Sequence, residues 1–223
     1  MQLRSSAVED YAKAIYLLTA EHGTPASTND LAARLDVSTG SVSAMLKRLA
    51  DDDLVQHEPY RGVELTAEGR NVALRVLRRH RLIELFLEQT LDMPWEALHA
   101  EAEVLEHAAS DSLVDLIATK LGDPLFDPHG DPIPTRDLQL GNQLPNVSLA
   151  TLEAGEKAKF VRVSDANSEM LRYLSKHGIA IGDELEMVER QPFDGSCLVR
   201  IGRKQHALGM TLATAMRVET AAY

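Results

Sequence analysis

The chain has 223 residues, of which 44% are hydrophobic and 26% are charged, and its formal net charge is −11. This length and composition exclude a disordered or fibrous protein and allow one large domain or two to three small ones. The acidic excess argues against a general nucleic-acid binder, because non-specific affinity for DNA comes mainly from Lys and Arg at phosphates.

The N-terminus is polar and lacks the apolar segment of a signal peptide, and no stretch reaches the roughly 18 to 20 apolar residues of a membrane helix. We therefore expect a cytoplasmic protein with no membrane partner. Cys197 is the single cysteine. One thiol excludes an internal disulfide framework and any multi-cysteine zinc or iron–sulfur site.

The N-terminal third of the chain predicts a winged helix-turn-helix. Apolar residues recur at spacings of three and four in residues 8–18, as in an amphipathic helix. Two short helices follow, the first capped by Thr28 or Asn29 and the second beginning at Ser38. Two short strands around a Pro/Gly turn at residues 58–62 then form a wing.

The rest of the chain predicts further helices and then a small β-barrel. Thr66 caps a long helix, and two more helices are predicted at about 94–109 and 110–121. Residues 122–148 are rich in Pro and Gly, which prevent long regular elements, so we interpret them as a partly ordered linker. Short alternating strands beyond it, with a helix inserted at residues 168–177, suggest the barrel.

Imidazole and carboxylate side chains recur at helical spacing in the middle of the chain. Three sets are spaced so that each lies on one face of a predicted helix, namely His80 with Glu84, His99 with Glu103, and Glu103 with Glu106 and His107. Carboxylates gathered beside apolar residues repel one another unless some are protonated or a cation binds. The spacing therefore predicts a metal-binding site.

The types of ligand limit which metal this site prefers. Oxygen and imidazole ligands without a thiolate favour hard octahedral ions, above all Mn²⁺ and Fe²⁺, although Zn²⁺ competes by raw affinity. A metallohydrolase with the same His and Glu residues is the alternative from another class, but the sequence has no HExxH spacing with a general base. We predict a metal-binding protein that is not an enzyme and has no small-molecule substrate.

These features together resemble the diphtheria toxin repressor family of metal-dependent regulators. The resemblance covers nearly the whole chain and is carried by the helix-turn-helix, the barrel, and the segments RHRLIE at 79–84, HAEAEVLEH at 99–107, Ser110-Asp111 and DPHGDPIP at 127–134. It implies a mainly α protein with a small β domain. The implied parts are a winged helix-turn-helix at 1–65, a helical dimerisation and metal-binding domain at 66–122, a Pro-rich linker at 123–148 and an SH3-like barrel of the FeoA type at 149–223.

The resemblance also implies a homodimer in which the first helix contributes a metal ligand. Iron-sensing members have a methionine in that helix and a cysteine three residues before the shared glutamate, whereas this chain has Asp10 and Glu103, as manganese-sensing members do. The implied ligands are Asp10, Glu103, Glu106 and His107 for one ion, and His80, Glu84 and His99 for a second. Mn²⁺ is the predicted cofactor and Fe²⁺ the alternative, while Zn²⁺ or Co²⁺ can bind in vitro.

Two positions depart from the family pattern. Some manganese sensors carry a second acidic residue one turn after the aspartate, but Lys13 stands there, which argues against a close two-manganese cluster. Iron-sensing members supply oxygen ligands from the barrel, where Asp165 or Glu169 is the candidate in this chain. Neither belongs to the predicted core set of ligands.

The second helix of the helix-turn-helix offers hydroxyls near its start and two cations further along. Hydroxyls there can bond phosphates and approach thymine methyl groups, while the cations contact the DNA backbone. The predicted DNA contacts are Ser38, Thr39, Ser41, Ser43, Lys47, Arg48 and, at the tip of the wing, Arg61.

We therefore expect a manganese-dependent repressor that binds double-stranded operator DNA as a dimer and controls metal uptake or homeostasis genes. The alternative is an iron-dependent repressor of the same family. Residues 1–65 contain six Lys and Arg against ten Asp and Glu, so DNA binding by this acidic segment requires added positive charge. Bound metal ions supply such charge.

Overall fold

The structure is a computed structural model that describes residues 5–58, 61–141, 145–165, 167–192 and 195–220. The chain divides into two compact units. Unit 1 comprises the described residues up to His80 together with residues 106–109 and 134–139. Unit 2 comprises residues 81–105, residues 110–133 and the described residues from 140 onward.

Unit 1 contains a winged helix-turn-helix, as predicted. Its helices are α1 (Ser6–His22), α2 (Thr28–Leu35) and α3 (Thr39–Asp51), and its wing strands are β1 (Val55–Glu58) and β2 (Gly62–Leu65). The two strands pair antiparallel, with Val55 opposite Leu65. The predicted turn between them includes Pro59 and Tyr60, which lie outside the described residues.

The apolar stripes predicted from the sequence form the core of this unit. Ile15 of α1, Leu31 of α2 and Leu46 of α3 are fully buried or nearly so and belong to one cluster. Each helix therefore turns one face inward and leaves the other exposed, as its hydrophobic spacing predicts.

Side-chain caps fix where the short helices begin. The prediction that Thr28 or Asn29 caps α2 is wrong, because Ser27 is the cap. The Ser27 hydroxyl accepts the backbone N–H of Asp30 at 3.1 Å and donates to its carboxylate at 2.7 Å. Ser38 caps α3 as predicted, accepting the backbone N–H of Ser41 at 3.1 Å.

A single long helix, α4 (Ala67–Leu91), runs from unit 1 into unit 2. Thr66 caps it as predicted, since its hydroxyl accepts the backbone N–H of Gly69 at 3.1 Å. Among the described residues, no helix is both long enough and apolar enough to span a bilayer.

The helix predicted at 94–109 is shorter than expected. A 3-10 turn at Trp95–Ala97 leads into α5 (Leu98–Leu105), and α6 (Asp111–Lys120) follows. Glu106 and the residue after it lie in the turn beyond α5, so the prediction that they share a helix face with Glu103 is wrong. The helix ends where the chain passes from unit 2 into unit 1, and the buried carboxylate of Glu106 is held by side chains of unit 1.

The C-terminal part of unit 2 is a six-stranded antiparallel sheet with strand order β3-β8-β4-β5-β6-β7. The strands are β3 (Val147–Ser148), β4 (Lys157–Arg162), β5 (Glu184–Arg190), β6 (Cys197–Ile201), β7 (Lys204–Leu208) and β8 (Arg217–Thr220), and the helices are α7 (Ser168–His177) and α8 (Met210–Ala215). Phe160, Met187 and Val199 are fully buried in its core. The elements β3, β8 and α8 were not predicted, because such short segments carry little periodic signal.

Residues 125–133, which we predicted to belong to a linker, form a compact loop in unit 2. The backbone N–H of Asp127 donates to the carbonyl oxygen of Asp131 at 2.9 Å. The Asp127 carboxylate in turn accepts the backbone N–H groups of His129 and Asp131 at 2.8 and 2.9 Å. An aspartate that bonds the backbone two and four residues later fixes a turn, so the acidic residues here order the chain despite its proline content.

Gly130 sits at the tightest point of this loop. Its φ is +83°, and a Cβ added there would lie 1.9 Å from the carbonyl oxygen of Val161. Both the backbone conformation and the close approach require glycine.

Candidate metal centres and nucleic-acid interface

Unit 1 gathers charged side chains around the carboxylate of Glu106, and we call this group the first cluster. Glu106 is fully buried; its Oε1 accepts from Nζ of Lys13 at 2.6 Å, and its Oε2 lies 2.6 Å from Nδ1 of His80. Nε2 of His107 lies 2.8 Å from Oδ1 of Asp10 and 3.5 Å from Oε1 of Glu106. One ligand atom from each of Asp10, Glu106 and His107 lies within 4.8 Å of the other two, so a single ion can be held by all three.

Glu9 and Arg79 support the first cluster from the other side of the imidazole ring. Oε2 of Glu9 lies 2.8 Å from Nδ1 of His107, and Oε1 of Glu9 accepts from Nη1 of Arg79 at 3.1 Å. Because Nδ1 is held by Glu9, the nitrogen that faces Asp10 is Nε2. A carboxylate on the second ring nitrogen is the usual way in which proteins orient a metal-binding histidine. We did not predict these two supporting residues, although each is adjacent in sequence to a predicted ligand.

Burial and charge together set the protonation of the first cluster. Burial raises the pKa of the Asp10 carboxyl, and the charges of His107 and Lys13 only partly oppose it. Burial by itself would also raise the pKa of Glu106, but the hydrogen bond with His80 and the charge of Lys13 lower it below its ordinary value. Burial disfavours the imidazolium of His107, yet hydrogen bonding and nearby carboxylates outweigh burial and raise its pKa. The metal-free cluster therefore favours a protonated His107.

Unit 2 brings together a second group of candidate ligands, the second cluster, formed by Glu84, His99, Asp165 and His129. One ligand atom from each of Glu84, His99 and Asp165 lies within 4.8 Å of the others. Nδ1 of His99 is 3.0 Å from Oδ2 of Asp165, and its Nε2 is 3.7 Å from Oε1 of Glu103. Glu84 is fully buried on α4.

His129 adds an imidazole that we did not predict. Its ring is fully buried and stacks on Trp95, with ring centroids 5.4 Å apart. Nε2 lies 3.6 Å from Oε1 of Glu84, beyond hydrogen-bond length, and neither ring nitrogen has a hydrogen-bond partner among the described residues. Buried nitrogens in this situation cost free energy unless something satisfies them, and a metal ion fits that need. The signal in the sequence was a histidine between Asp127 and Asp131, which the prolines beside it obscured.

The structure brings together three of the ligands assigned to the first ion, namely Asp10, Glu106 and His107. Glu103, assigned to the same ion, lies beside His99 in unit 2, and its role at the first ion stays a prediction. His80, assigned to the second ion, contacts Glu106 in the first cluster.

Two of the ligands assigned to the second ion, Glu84 and His99, do come together in unit 2. Asp165, which we left out of the core set, joins them. Glu169, the other barrel candidate, is exposed in the first turn of α7, and its backbone N–H donates to the Asn167 side chain at 3.1 Å. The spacing within helices found the first two residues, but no local pattern connects them with the loop that follows β4.

The predicted DNA contacts lie on the exposed side of α3 and on the wing. The opposite side of α3 is buried through Val42, Leu46 and Leu49. The exposed positions include all the predicted contacts, which are Ser38, Thr39, Ser41, Ser43, Lys47, Arg48 and Arg61.

Several hydroxyls at the start of α3 already make bonds within the helix. Oγ of Ser38 lies 2.9 Å from Oγ of Ser41, and the hydroxyl of Ser43 donates to the carbonyl oxygen of Thr39 at 2.9 Å. These bonds orient the hydroxyls, and each oxygen still has capacity for a further hydrogen bond. Lys47 and Arg48 are the predicted charged contacts on this face, and both are exposed.

Three families match successive parts of the chain. The N-terminal DNA-binding domain of iron-dependent repressors matches residues 4–63, their metal-binding and dimerisation domain matches residues 66–135, and the FeoA domain matches residues 147–220. The iron-dependent repressor IdeR of Mycobacterium bovis is 32% identical over 222 residues, which cover 95% of this chain and 96% of that protein.

Solved structures of manganese regulators have a similar fold. A manganese-dependent transcriptional repressor in complex with manganese has a TM-score of 0.88 and 40% identity, covering 96% of this chain and 99% of that chain. The manganese regulator SloR has a TM-score of 0.78 and 33% identity, covering 99% of this chain and 100% of that chain.

The fold and the matched domains define a metal-dependent DNA-binding regulator with an N-terminal DNA-binding domain, a helical dimerisation domain and a C-terminal SH3-like domain. The chain belongs to the iron-dependent repressor family, which includes IdeR and the diphtheria toxin repressor. It is a metal-dependent transcriptional repressor, and members of this family are not enzymes. The predicted family and fold class are thereby confirmed.

Proposed function

We propose that this chain is a manganese-dependent repressor that binds double-stranded operator DNA as a homodimer and controls metal uptake or homeostasis genes in the cytoplasm. The observation that carries the proposal is the first cluster, in which Asp10, Glu106 and His107 present two carboxylates and an imidazole to one position. A ligand set of oxygen and nitrogen without sulfur suits a hard octahedral ion such as Mn²⁺. A relative of very similar fold is described as manganese-dependent.

Each cluster has residues suited to one ion. Asp10, Glu106 and His107 hold the first, while Glu84, His99 and Asp165 hold the second, with His129 beside Glu84 as a further candidate. A bound divalent cation supplies positive charge in the first cluster, where the metal-free chain relies on the proton of His107. Metal binding therefore displaces the proton of His107, whose presence depends on pH. The positive charge then comes from a metal ion, whose concentration the cell regulates.

The position of Asp10 connects metal binding with DNA binding. Asp10 lies on α1, whose residues Val8 and Ile15 pack in the same core as Leu46 of α3. Symmetric dimers must hold their recognition helices about 34 Å apart to enter successive major grooves. An ion that fixes α1 against the segment after α5 thus changes DNA affinity without touching DNA.

Apolar side chains on the surface of α5 and α6 support the homodimer. Leu113 and Leu116 share one face of α6 and are 49% and 69% exposed, and Val104 of α5 is 71% exposed. Val114 and Ile117, on the neighbouring face of α6, are buried. The apolar surface of α6 is therefore wider than the part that the chain itself buries. The exposed part is available to a partner, and a second copy of the chain supplies a matching surface.

The proposal is tested by removing the ligand that comes from the DNA-binding domain. In a gel shift with DNA from the upstream region of the chain's own gene, Asp10→Ala should lose Mn²⁺-dependent binding by at least about tenfold, because one charged ligand is gone. Size-exclusion chromatography should still detect a dimer.

The matched control is Glu21→Ala, which removes an acid from the exposed end of the same helix. Glu21 pairs with Arg34 at 2.9 Å on the surface, where ion pairs contribute little. This variant should behave like the wild type. An Asp10→Ala protein that binds the DNA as tightly as the wild type at the same Mn²⁺ concentration would overturn the assignment.

An iron-dependent repressor is the second candidate, favoured by the name of the IdeR relative. DNA affinity measured at equal free concentrations of Mn²⁺ and of anaerobic Fe²⁺ separates the two. Tighter binding with Fe²⁺ selects the iron sensor, whereas tighter binding with Mn²⁺ supports the proposal.

A further inference from the structure

We propose that Lys13 is a resident cation of the first cluster that competes with the metal ion for Glu106 and so sets the metal affinity of the site. This inference rests on the proposed function, because it assigns a role in metal sensing to a residue that cannot itself bind the metal. Lys13 lies on α1 one turn after Asp10, and only 8% of its surface is exposed.

The ammonium group of Lys13 already holds the carboxylate oxygen that a metal would need. Nζ lies 2.6 Å from Oε1 of Glu106, and this oxygen is the one 3.5 Å from Nε2 of His107. The other oxygen, Oε2, lies 2.6 Å from Nδ1 of His80. An ion bound jointly by Glu106 and His107 must therefore take Oε1 from the ammonium group.

The charge of the cluster points the same way. Its three carboxylates, those of Glu9, Asp10 and Glu106, face the two permanent cations of Lys13 and Arg79. Arg79 is held by Glu9, on the far side of the His107 ring, whereas Lys13 contacts a ligand carboxylate directly. A buried ammonium group so near the ion repels it, because charges inside a protein are poorly screened.

The same contact stabilises the metal-free protein. Burying a carboxylate without a cation costs free energy. The ion pair with Lys13 removes that cost at Glu106 when no metal is bound. Lys13 thus favours the metal-free state and disfavours the metal-bound state. The first cluster therefore binds its metal ion at a higher free metal concentration than the same ligands would need without Lys13.

Lys13→Met tests this inference, because methionine keeps an unbranched apolar stem and removes the charge. Isothermal titration calorimetry of the full chain with Mn²⁺ should give a Kd at least about tenfold lower than that of the wild type, with the same number of ions bound. Lys176→Met, at an exposed position of α7, removes the same charge and should bind like the wild type. A folded Lys13→Met protein with unchanged or weaker Mn²⁺ affinity overturns the inference.

A measurement on the wild type covers the case in which Lys13→Met does not fold. In NMR spectra of the full chain, titration with Zn²⁺ as a diamagnetic probe should shift the ¹⁵Nζ signal of Lys13 together with the ring signals of His107. Movement of His107 without Lys13 would refute competition while leaving the metal site intact. If neither signal moves and calorimetry detects no Mn²⁺ binding, the proposed function fails and this inference fails with it.

Discussion

His107 must lose a proton before its Nε2 can bind a metal ion. Burial disfavours the imidazolium, but the hydrogen bond with Glu9 and the nearby Asp10 carboxylate raise the pKa of His107 above its ordinary value. Below that raised pKa the metal-free fold gains stability from the protonated ring, and this gain is lost as the pH rises through it. In the proposed site, metal ions and protons therefore compete for Nε2 of His107.

We predict that Mn²⁺ affinity falls about tenfold for each pH unit below the raised pKa of His107, because one proton must leave for each ion that binds. Calorimetry in buffers of different ionisation enthalpy measures this proton directly. The exposed His22, at the end of the same helix as Asp10, provides the control, and His22→Gln should leave the pH profile unchanged. Affinity that stays constant between about pH 5 and pH 8 would contradict the prediction.

At the scale of elements, the loop at residues 125–133 depends on one glycine and on a group of acidic and basic side chains. Burial, with the charges of Asp131 and Glu84, raises the pKa of Asp127, against the opposing charge of Arg81. Nε of Arg81 lies 3.5 Å from the Asp127 carboxylate, and Nε of Arg162 lies 3.0 Å from that of Asp131. These contacts hold the loop that carries His129.

Gly130→Ala should destabilise the protein by about 2–4 kcal/mol, because an added Cβ would overlap the carbonyl oxygen of Val161 at a positive φ. Gly155→Ala is the matched control: its φ is +88°, but nothing lies within 4 Å of the added Cβ. We expect it to cost only about 1 kcal/mol, the strain of the backbone alone. Urea unfolding measures both, and equal losses for the two variants would rule out the close contact as the cause.

The elements that were predicted well are those whose signal is local. Helices such as α1 and α3 have a buried apolar stripe and a polar face, so their spacing identifies them. The early end of α5 was missed because contacts distant in sequence determine it. The loop at 125–133 was missed because its prolines obscure the local bonds of Asp127, and its contacts with Arg81 and Arg162 are distant in sequence. Glu106 lies beyond the end of α5, where it contacts Lys13 and His80. Both residues are distant in sequence, so no local pattern predicts these contacts.

The candidate ligands also differ in how well the sequence predicted them. Helical spacing, together with the family resemblance, predicted Glu84, His99, Glu106 and His107 as ligands. Asp165 and His129 come from loops, where position in sequence says nothing about direction in space. Reasoning from the sequence therefore predicted the candidate ligands on or next to helices, named Asp165 only outside the core set and did not predict His129.

At the scale of the whole molecule, the proposed dimer depends on the leucines exposed on α6. Leu116→Glu places a charge in that apolar surface, and we expect it to weaken dimerisation by on the order of a hundredfold or more. Val147→Glu, at a 40% exposed position on β3, is the control for an added acid elsewhere and should remain dimeric. Analytical ultracentrifugation measures both, and a Leu116→Glu protein that remains a dimer at low concentration would place the interface elsewhere.

The single thiol of the chain belongs to neither candidate metal cluster. Cys197 is fully buried in the core of the sheet, with Sγ 3.7 Å from Sδ of Met210, and burial raises its pKa, so the less reactive protonated form is favoured. Hydrogen peroxide therefore meets neither a thiolate ligand nor an accessible cysteine. Under oxidative stress, when sensors with cysteine ligands lose their sulfur to oxidation, this regulator should go on reporting the supply of its metal.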